Sequence, residues 1–206
     1  MLLQIDPKEP EPWLLARAID VLRRGGVAVI PTDTVYGLAC CLSAQKSIQR
    51  IYALKNLDPK KPLAILVGDM ASVSTYAKGV DTPAYRMLKR VLPGAYTFIF
   101  EATREVPKIM LRKRRTIGIR MPDNAILLQV LAELDEPLIT TSVLTPEDSW
   151  VNDPAQIEAH LGNRVDLVLD GGVLPTRPST VVDFSEGEPV LLREGKGDVD
   201  ALQLFE

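Results

Sequence analysis

Five polar segments of this chain close short apolar runs, and their side chains suit the gripping of a small anion better than the attack on a substrate. They are Thr32 to Tyr36, Lys55 to Lys61, Thr116 to Arg120, Thr140 to Ser142, and Ser179-Thr180 with Arg193 not far behind. Hydroxyls and backbone N–H groups at strand ends can hold a zwitterion or a phosphate, and fixed cations offset phosphate charge. Other chemistries lack their residues. Gly171-Gly172 and Gly195-Lys196-Gly197 have neither the spacing nor the following helix of a Walker or dinucleotide phosphate loop. There is no serine-hydrolase elbow. His160 is the one histidine and reads as a surface residue of a polar helix. Cys40 and Cys41 are adjacent, so a disulfide between them would be strained, and with a single histidine they make no thiolate or imidazole zinc site.

The elements that must position these segments follow from the apolar pattern. Gly25-Gly26 opens the run Val27 to Ile30, which suits a strand covered on both faces, and Pro31 stops its ladder for want of an N–H. Thr32 to Tyr36 then lies at a strand's carboxyl end, where open α/β sheets bind ligands. The same turn also fits an ordinary strand-to-helix connection whose hydroxyls only cap the next helix, and Ser43 or Ser47 can cap a helix that carries Ile48, Ile51, Tyr52 and Leu54 toward the core. Further helices are predicted over about Trp13 to Arg24, Pro83 to Val91 and Pro154 to Leu161, and one capped by Asp123 or Asn124 with Ile126, Leu127, Val130, Leu131 and Leu134 on its core stripe. Strands are predicted over Leu63 to Val67, Tyr96 to Glu101, Thr116 to Met121, Leu138 to Ser142 and Asp166 to Asp170, with Val181-Val182 and Val190 to Leu192 as a closing antiparallel pair. This alternation predicts an α/β (α+β) protein, a twisted mixed sheet flanked by helices.

Composition sets the outer bounds. At 206 residues with no long linker, the chain reads as one domain spanning 1–206. Apolar residues at 46% and charged ones at 25% exclude disordered and fibrous classes. No apolar run approaches a membrane span and the start lacks a secretion signal, so a cytoplasmic protein with no membrane partner is expected. The net charge of -3 gives no global attraction to nucleic acid, yet Lys108 to Arg120 holds six cations and no acid. Arg112, Lys113, Arg114 and Arg115 in that stretch read either as a solvated face or as a rim that binds ATP phosphates or an RNA backbone.

Several segments together resemble a known family. Pro31-Thr-Asp-Thr-Val-Tyr-Gly-Leu38, Pro93-Gly-Ala-Tyr-Thr97, Ile117-Gly-Ile-Arg-Met-Pro122, Asp170-Gly-Gly172, Pro178-Ser-Thr-Val-Val-Asp183 and Leu192-Arg-Glu-Gly195 match in order the motifs of the YrdC-like family, across about residues 10–197. The resemblance implies a YrdC-like fold with a large, positively lined concave surface. It implies L-threonylcarbamoyladenylate synthesis from threonine, bicarbonate and ATP with Mg2+, for the threonylcarbamoyl modification of adenosine in tRNA. A double-stranded RNA or tRNA partner, held by Arg112 to Arg115 and without synthase activity, is the alternative it offers. Carried over by position, Thr34, Arg120, Thr140 and Ser179 would contact threonine. Lys55, Lys61, Thr116, Ser142 and Arg193 would contact the nucleotide, with Lys55, Arg120 and Ser142 as the catalytic set. No protein-bound metal is expected beyond the magnesium carried by the nucleotide.

The chain also departs from the synthase pattern. Lys-x-Arg has become Lys55-Asn56-Leu57, Ser-x-Asn has become Ser142-Val143-Leu144, the usual Asn before Pro62 is Lys61, and a histidine that lies against threonine in some members corresponds to Leu66. These substitutions resemble the YciO branch of the family.

Overall fold

Pro12 occupies the first turn of the first helix, where its missing N–H costs nothing, and Leu14, Leu15, Ala18, Ile19 and Leu22 form the buried stripe. Gly25, at φ 77°, ends that helix, and Gly26 follows so close to Val21 that a Cβ there would stand 2.6 Å from the Val21 carbonyl oxygen. The computed structural model of the protein describes residues 1–56, 63–111, 115–143, 151–175 and 177–204.

In chain order the elements are β1 (Leu2–Gln4), α1 (Pro12–Arg23), β2 (Ala28–Ile30), β3 (Gly37–Cys41), α2 (Gln45–Leu54), β4 (Ala64–Leu66), α3 (Met70–Tyr76), β5 (Ala77–Lys78) and α4 (Thr82–Val91). They continue as β6 (Tyr96–Ala102), β7 (Thr116–Arg120), α5 (Ala125–Leu134), β8 (Leu138–Ser142), α6 (Pro154–Leu161), β9 (Leu167–Asp170), β10 (Thr180–Asp183) and β11 (Val190–Arg193). All the strands join one mixed sheet in the order β1-β9-β2-β3-β8-β4-β7-β6-β10-β11, with β5 beside β6. The predicted α/β class and mixed sheet flanked by helices are thus found, as is the antiparallel pairing of β10 with β11.

Strand alternation divides the apolar residues into two cores. Val29, Leu38, Cys40, Ile65, Ile139 and Phe98 belong to one. Ala28, Ile30, Ala39, Cys41, Leu66 and Leu138 belong to the other, together with the stripes of α1 and α5. Asn124 caps α5 by accepting the Leu127 N–H at 3.1 Å. On the face that α1 and α5 cover, the register carries Thr140, Ala64, Gly118 and Arg120 in line with Leu66. Among the described residues, no helix is long and apolar enough to cross a membrane.

The hairpin of β2 and β3 corrects the strand-to-helix expectation. After Pro31 the chain turns and returns antiparallel, pairing Ile30 with Gly37. Gly37-Leu-Ala-Cys-Cys41 shows no alternation because it is buried on both faces, between β2 and β8. Ser43 and Ser47 do not cap α2, whose N-cap is Ala44. Ser43 Oγ donates to Glu136 at 3.2 Å, and Ser47 Oγ donates to the Gly25 carbonyl. The short elements β1, α3 and β5 were also not anticipated; Asp69 caps α3 by accepting the Ser72 N–H at 2.7 Å.

Candidate functional site

The turn between β2 and β3 is shaped by its own first hydroxyl. Thr32 Oγ1 accepts the Thr34 N–H at 3.0 Å and donates to the Val35 carbonyl at 2.7 Å, both within the buried interior. Tyr36 fixes the turn's far end: its N–H donates to Asn152 Oδ1 at 3.3 Å, and its hydroxyl donates to the Gly172 carbonyl at 2.7 Å while accepting the Gly171 N–H at 3.1 Å. Burial pushes that phenol's pKa well up, so it serves as a neutral strut.

Arg120 reaches this turn from the end of β7. One nitrogen, Nη2, donates to Asp33 Oδ1 at 2.8 Å and to Thr34 Oγ1 at 3.0 Å. Asp33 Oδ2 accepts the Asp123 N–H at 3.2 Å. The Arg120 Nε is buried and has no partner. Burial lowers the guanidinium's pKa and Asp33 opposes that fall, so the group remains a cation. A charged donor buried without an acceptor is costly.

Small residues leave room beside Arg120. Gly37 stands opposite Ser142, and a Cβ on it would meet Thr140 Oγ1 at 2.5 Å. Ala64 lies between Thr140 and Gly118. The resulting cleft, about 620 Å³ with its open mouth counted, is lined by Arg120, Thr140, Thr141, Ser142, Ser179 and Arg193, with Thr97 also on its wall. At one rim Lys55, just past the end of α2, donates Nζ to the Ser142 carbonyl at 2.5 Å and to Thr141 Oγ1 at 3.4 Å. At the other, Arg193 donates Nε to the Ser179 carbonyl at 3.0 Å and Nη2 to Ser179 Oγ at 3.2 Å. Ser179 Oγ shares a further hydrogen bond with Thr97 Oγ1 at 2.8 Å. Partial burial lowers the Arg193 pKa without discharging it.

Of the residues singled out from the sequence, Arg120, Thr140, Ser142, Ser179 and Arg193 line this one cleft, whereas Thr34 is not on its wall and instead accepts from Arg120 Nη2, and Lys55 bonds Ser142 at the rim. Thr116 is not on the cleft wall; it lies at the far end of β7 from Arg120, paired with Glu101. Lys61, Arg112, Lys113 and Arg114, like Leu57 and Leu144, lie outside the described residues. Arg115 is exposed, and its carbonyl accepts the Ala102 N–H at 2.6 Å. Leu66 is fully buried in the core beneath α1 and α5. His160 is exposed on α6, its Nδ1 2.8 Å from the Gln156 carbonyl oxygen. The Cys40 and Cys41 thiols are buried and each is pushed up to about 12, which leaves them protonated and unreactive.

Sequence reasoning missed Asn152, which besides holding Tyr36 donates Nδ2 to the Pro175 carbonyl at 2.6 Å. It stands in a stretch without periodicity, and nothing local marks it. Nor did it mark Lys196, whose Nζ reaches the Asp33 carbonyl at 2.5 Å; the flanking glycines were the available signal.

Comparison with known proteins gives a consistent result. The family model Sua5_yciO_yrdC, described as telomere recombination, matches residues 20–195. The uncharacterized protein YciO of Escherichia coli is 39% identical over 95% of both chains, and its crystal structure superposes with a TM-score of 0.91 over 98% of each. The human threonylcarbamoyl-AMP synthase is 35% identical over 88% of this chain and 67% of its own. The crystal structure of Pyrococcus abyssi Sua5 complexed with L-threonine is 26% identical, with a TM-score of 0.89 over 95% of this chain and 57% of that one.

Proposed function

This chain belongs to the Sua5/YciO/YrdC family, and we propose that its cleft binds L-threonine and ATP and makes L-threonylcarbamoyladenylate, the intermediate for threonylcarbamoyl modification of tRNA. The observation that carries the reading is Arg120, a buried guanidinium at the cleft with its Nε unpartnered. A planar cation in that state selects a carboxylate, which it can grip through two nitrogens. Thr140 and Ser179, both buried hydroxyls on the cleft wall, would orient the rest of a small polar amino acid.

No protein nucleophile is required. The amino nitrogen of threonine bonds to the bicarbonate carbon with loss of water, and a carbamate oxygen then attacks the α-phosphorus of ATP as the bond to the β-phosphate oxygen breaks and pyrophosphate leaves. Lys55 and Arg193, on opposite rims, would offset the negative charge that grows on the departing pyrophosphate. Magnesium would arrive with ATP and be held by its phosphates. With Leu57 and Leu144 in place of two polar residues of the synthase pattern, each lost charge-assisted contact lowers turnover by about tenfold to a hundredfold.

The protein would be incubated with ATP, magnesium, bicarbonate and L-threonine, and the products separated by mass-resolved chromatography. Threonylcarbamoyl-AMP with stoichiometric pyrophosphate is the expected result. No threonylcarbamoyl-AMP and no pyrophosphate under these conditions would overturn the synthase reading.

A further inference from the structure

Lys196 is held in a setting that fixes where its charge can go. The hydroxyl of Thr180, fully buried, accepts the Gly195 N–H at 2.9 Å and donates to the Gly197 carbonyl at 2.6 Å, so one side chain pins the residues on both sides of Lys196. The Lys196 N–H donates to the Pro178 carbonyl at 2.7 Å. A Cβ on Gly195 would lie 2.3 Å from that same carbonyl oxygen, and one on Gly197 would lie 2.5 Å from the Tyr96 ring. The loop therefore packs too tightly for any side chain but that of Lys196, which is exposed and extends to the Asp33 carbonyl, with Nζ at 2.5 Å. One of its three N–H donors is used there.

Cations gather around that contact. Asp33 is already paired with Arg120, Arg193 lies close enough for its charge to act against that of Arg120, and Lys196 brings a third cation to the Asp33 turn. Such a cluster calls for a ligand with more than one negative charge, and a carboxylate on Arg120 alone would not supply it.

We propose that Lys196, which is not on the cleft wall but reaches the Asp33 turn beside it, is a phosphate-binding residue at the cleft's edge, which exchanges the Asp33 carbonyl for a phosphate oxygen and with Arg193 grips the phosphate chain of a nucleoside triphosphate. The assignment rests on the part of that reading in which the cleft takes a nucleotide. Lys196 keeps its ammonium parked on a neutral acceptor, so the exchange trades a neutral partner for a charged one and favours the ligand. Because the loop is fixed by Thr180, little order is lost when the phosphate arrives.

Calorimetric titration with magnesium-ATP, inorganic pyrophosphate and L-threonine, on the wild type, Lys196→Met and Lys196→Arg, tests this. Lys196→Met is expected to weaken ATP and pyrophosphate about tenfold and leave threonine affinity unchanged, with most of the loss restored by Lys196→Arg. Unchanged ATP and pyrophosphate affinities in Lys196→Met would overturn the assignment, as would an equal loss for threonine and ATP, which would make Lys196 a support for the Asp33 turn. A wild type that binds pyrophosphate through Lys196 but no threonine would remove the threonine reading and keep this one. Threonine binding without ATP or pyrophosphate would do the reverse, and a wild type that binds none of the three would end both.

Discussion

Arg120 and Asp33 form a buried ion pair, Nη2 to Oδ1 2.8 Å, with side chains 8% and 6% exposed. They are 87 residues apart in the chain, and their contact sews the end of β7 to the turn between β2 and β3. The pair uses only one guanidinium nitrogen, so the cation is held in place while its Nε stays unpartnered.

Removing one partner strands the other. Arg120→Met should destabilise the protein by about 3–5 kcal/mol, because it leaves the Asp33 carboxylate buried without its counter-ion. Adding Asp33→Leu should recover most of that stability without restoring any threonine binding. Urea unfolding of the two variants and threonine calorimetry check both halves. If Arg120→Met bound threonine like the wild type, the carboxylate assignment would be lost.

Gly37 leaves the space that the Thr140 hydroxyl faces, with 2.5 Å between Thr140 Oγ1 and a notional Cβ. Gly37→Ala should cost about 1–3 kcal/mol in stability and weaken threonine binding. Adding Thr140→Ala removes the colliding oxygen, so the stability losses should be less than additive in a double-mutant cycle. Additive losses would mean that the sheet yields elsewhere.

Lys55 bonds the end of β8 through its ammonium. Lys55→Ala should lower adenylate formation about tenfold to a hundredfold at saturating threonine, while threonine affinity holds. Lys55→Arg should recover little, because a planar fork does not replace a point charge at a backbone carbonyl. Initial rates at fixed threonine, measured by pyrophosphate release, decide the matter.

Burial pushes the Cys40 and Cys41 thiols up to about 12. The folded protein holds those protons more tightly than the unfolded chain, whose thiols titrate at about 8.5. The stabilising contribution is therefore complete below about pH 8.5 and shrinks as pH rises toward 12. Urea midpoints should fall between pH 8 and pH 10, and fall less in a Cys40→Ala/Cys41→Ala variant; Tyr36, whose pKa burial also raises, supplies part of the remaining slope. At pH 8 a maleimide should label neither thiol until the protein unfolds.

The sequence displayed what is local. Ile126, Leu127, Val130, Leu131 and Leu134 announce α5, and the alternation of β6 from Tyr96 to Ala102 is seen again in its burial. The return strand Gly37 to Cys41 was hidden because its neighbours β2 and β8, and not its own residue types, make it a strand. At seven residues, α3 is too short to show a period. The family resemblance, carried over by position, gathered Arg120, Thr140, Ser142, Ser179 and Arg193, which do meet in one cleft. The contact between Lys196 and Asp33 spans 163 positions, and no pattern along the chain encodes a distance of that kind.

The pairing of β1 with β9, Leu2 beside Val168, has a consequence for how the protein is born. Strand β9 leaves the ribosome long after β1, and the stretch from Ser179 to Gly197 that closes one rim of the cleft emerges later still. Closing so long a loop is slow, and until it happens the edges of the growing sheet stay open to other chains. Synthesis thus sets an order of events: most of the hydrophobic interior can gather while the chain is still growing, and the cleft closes only near the end.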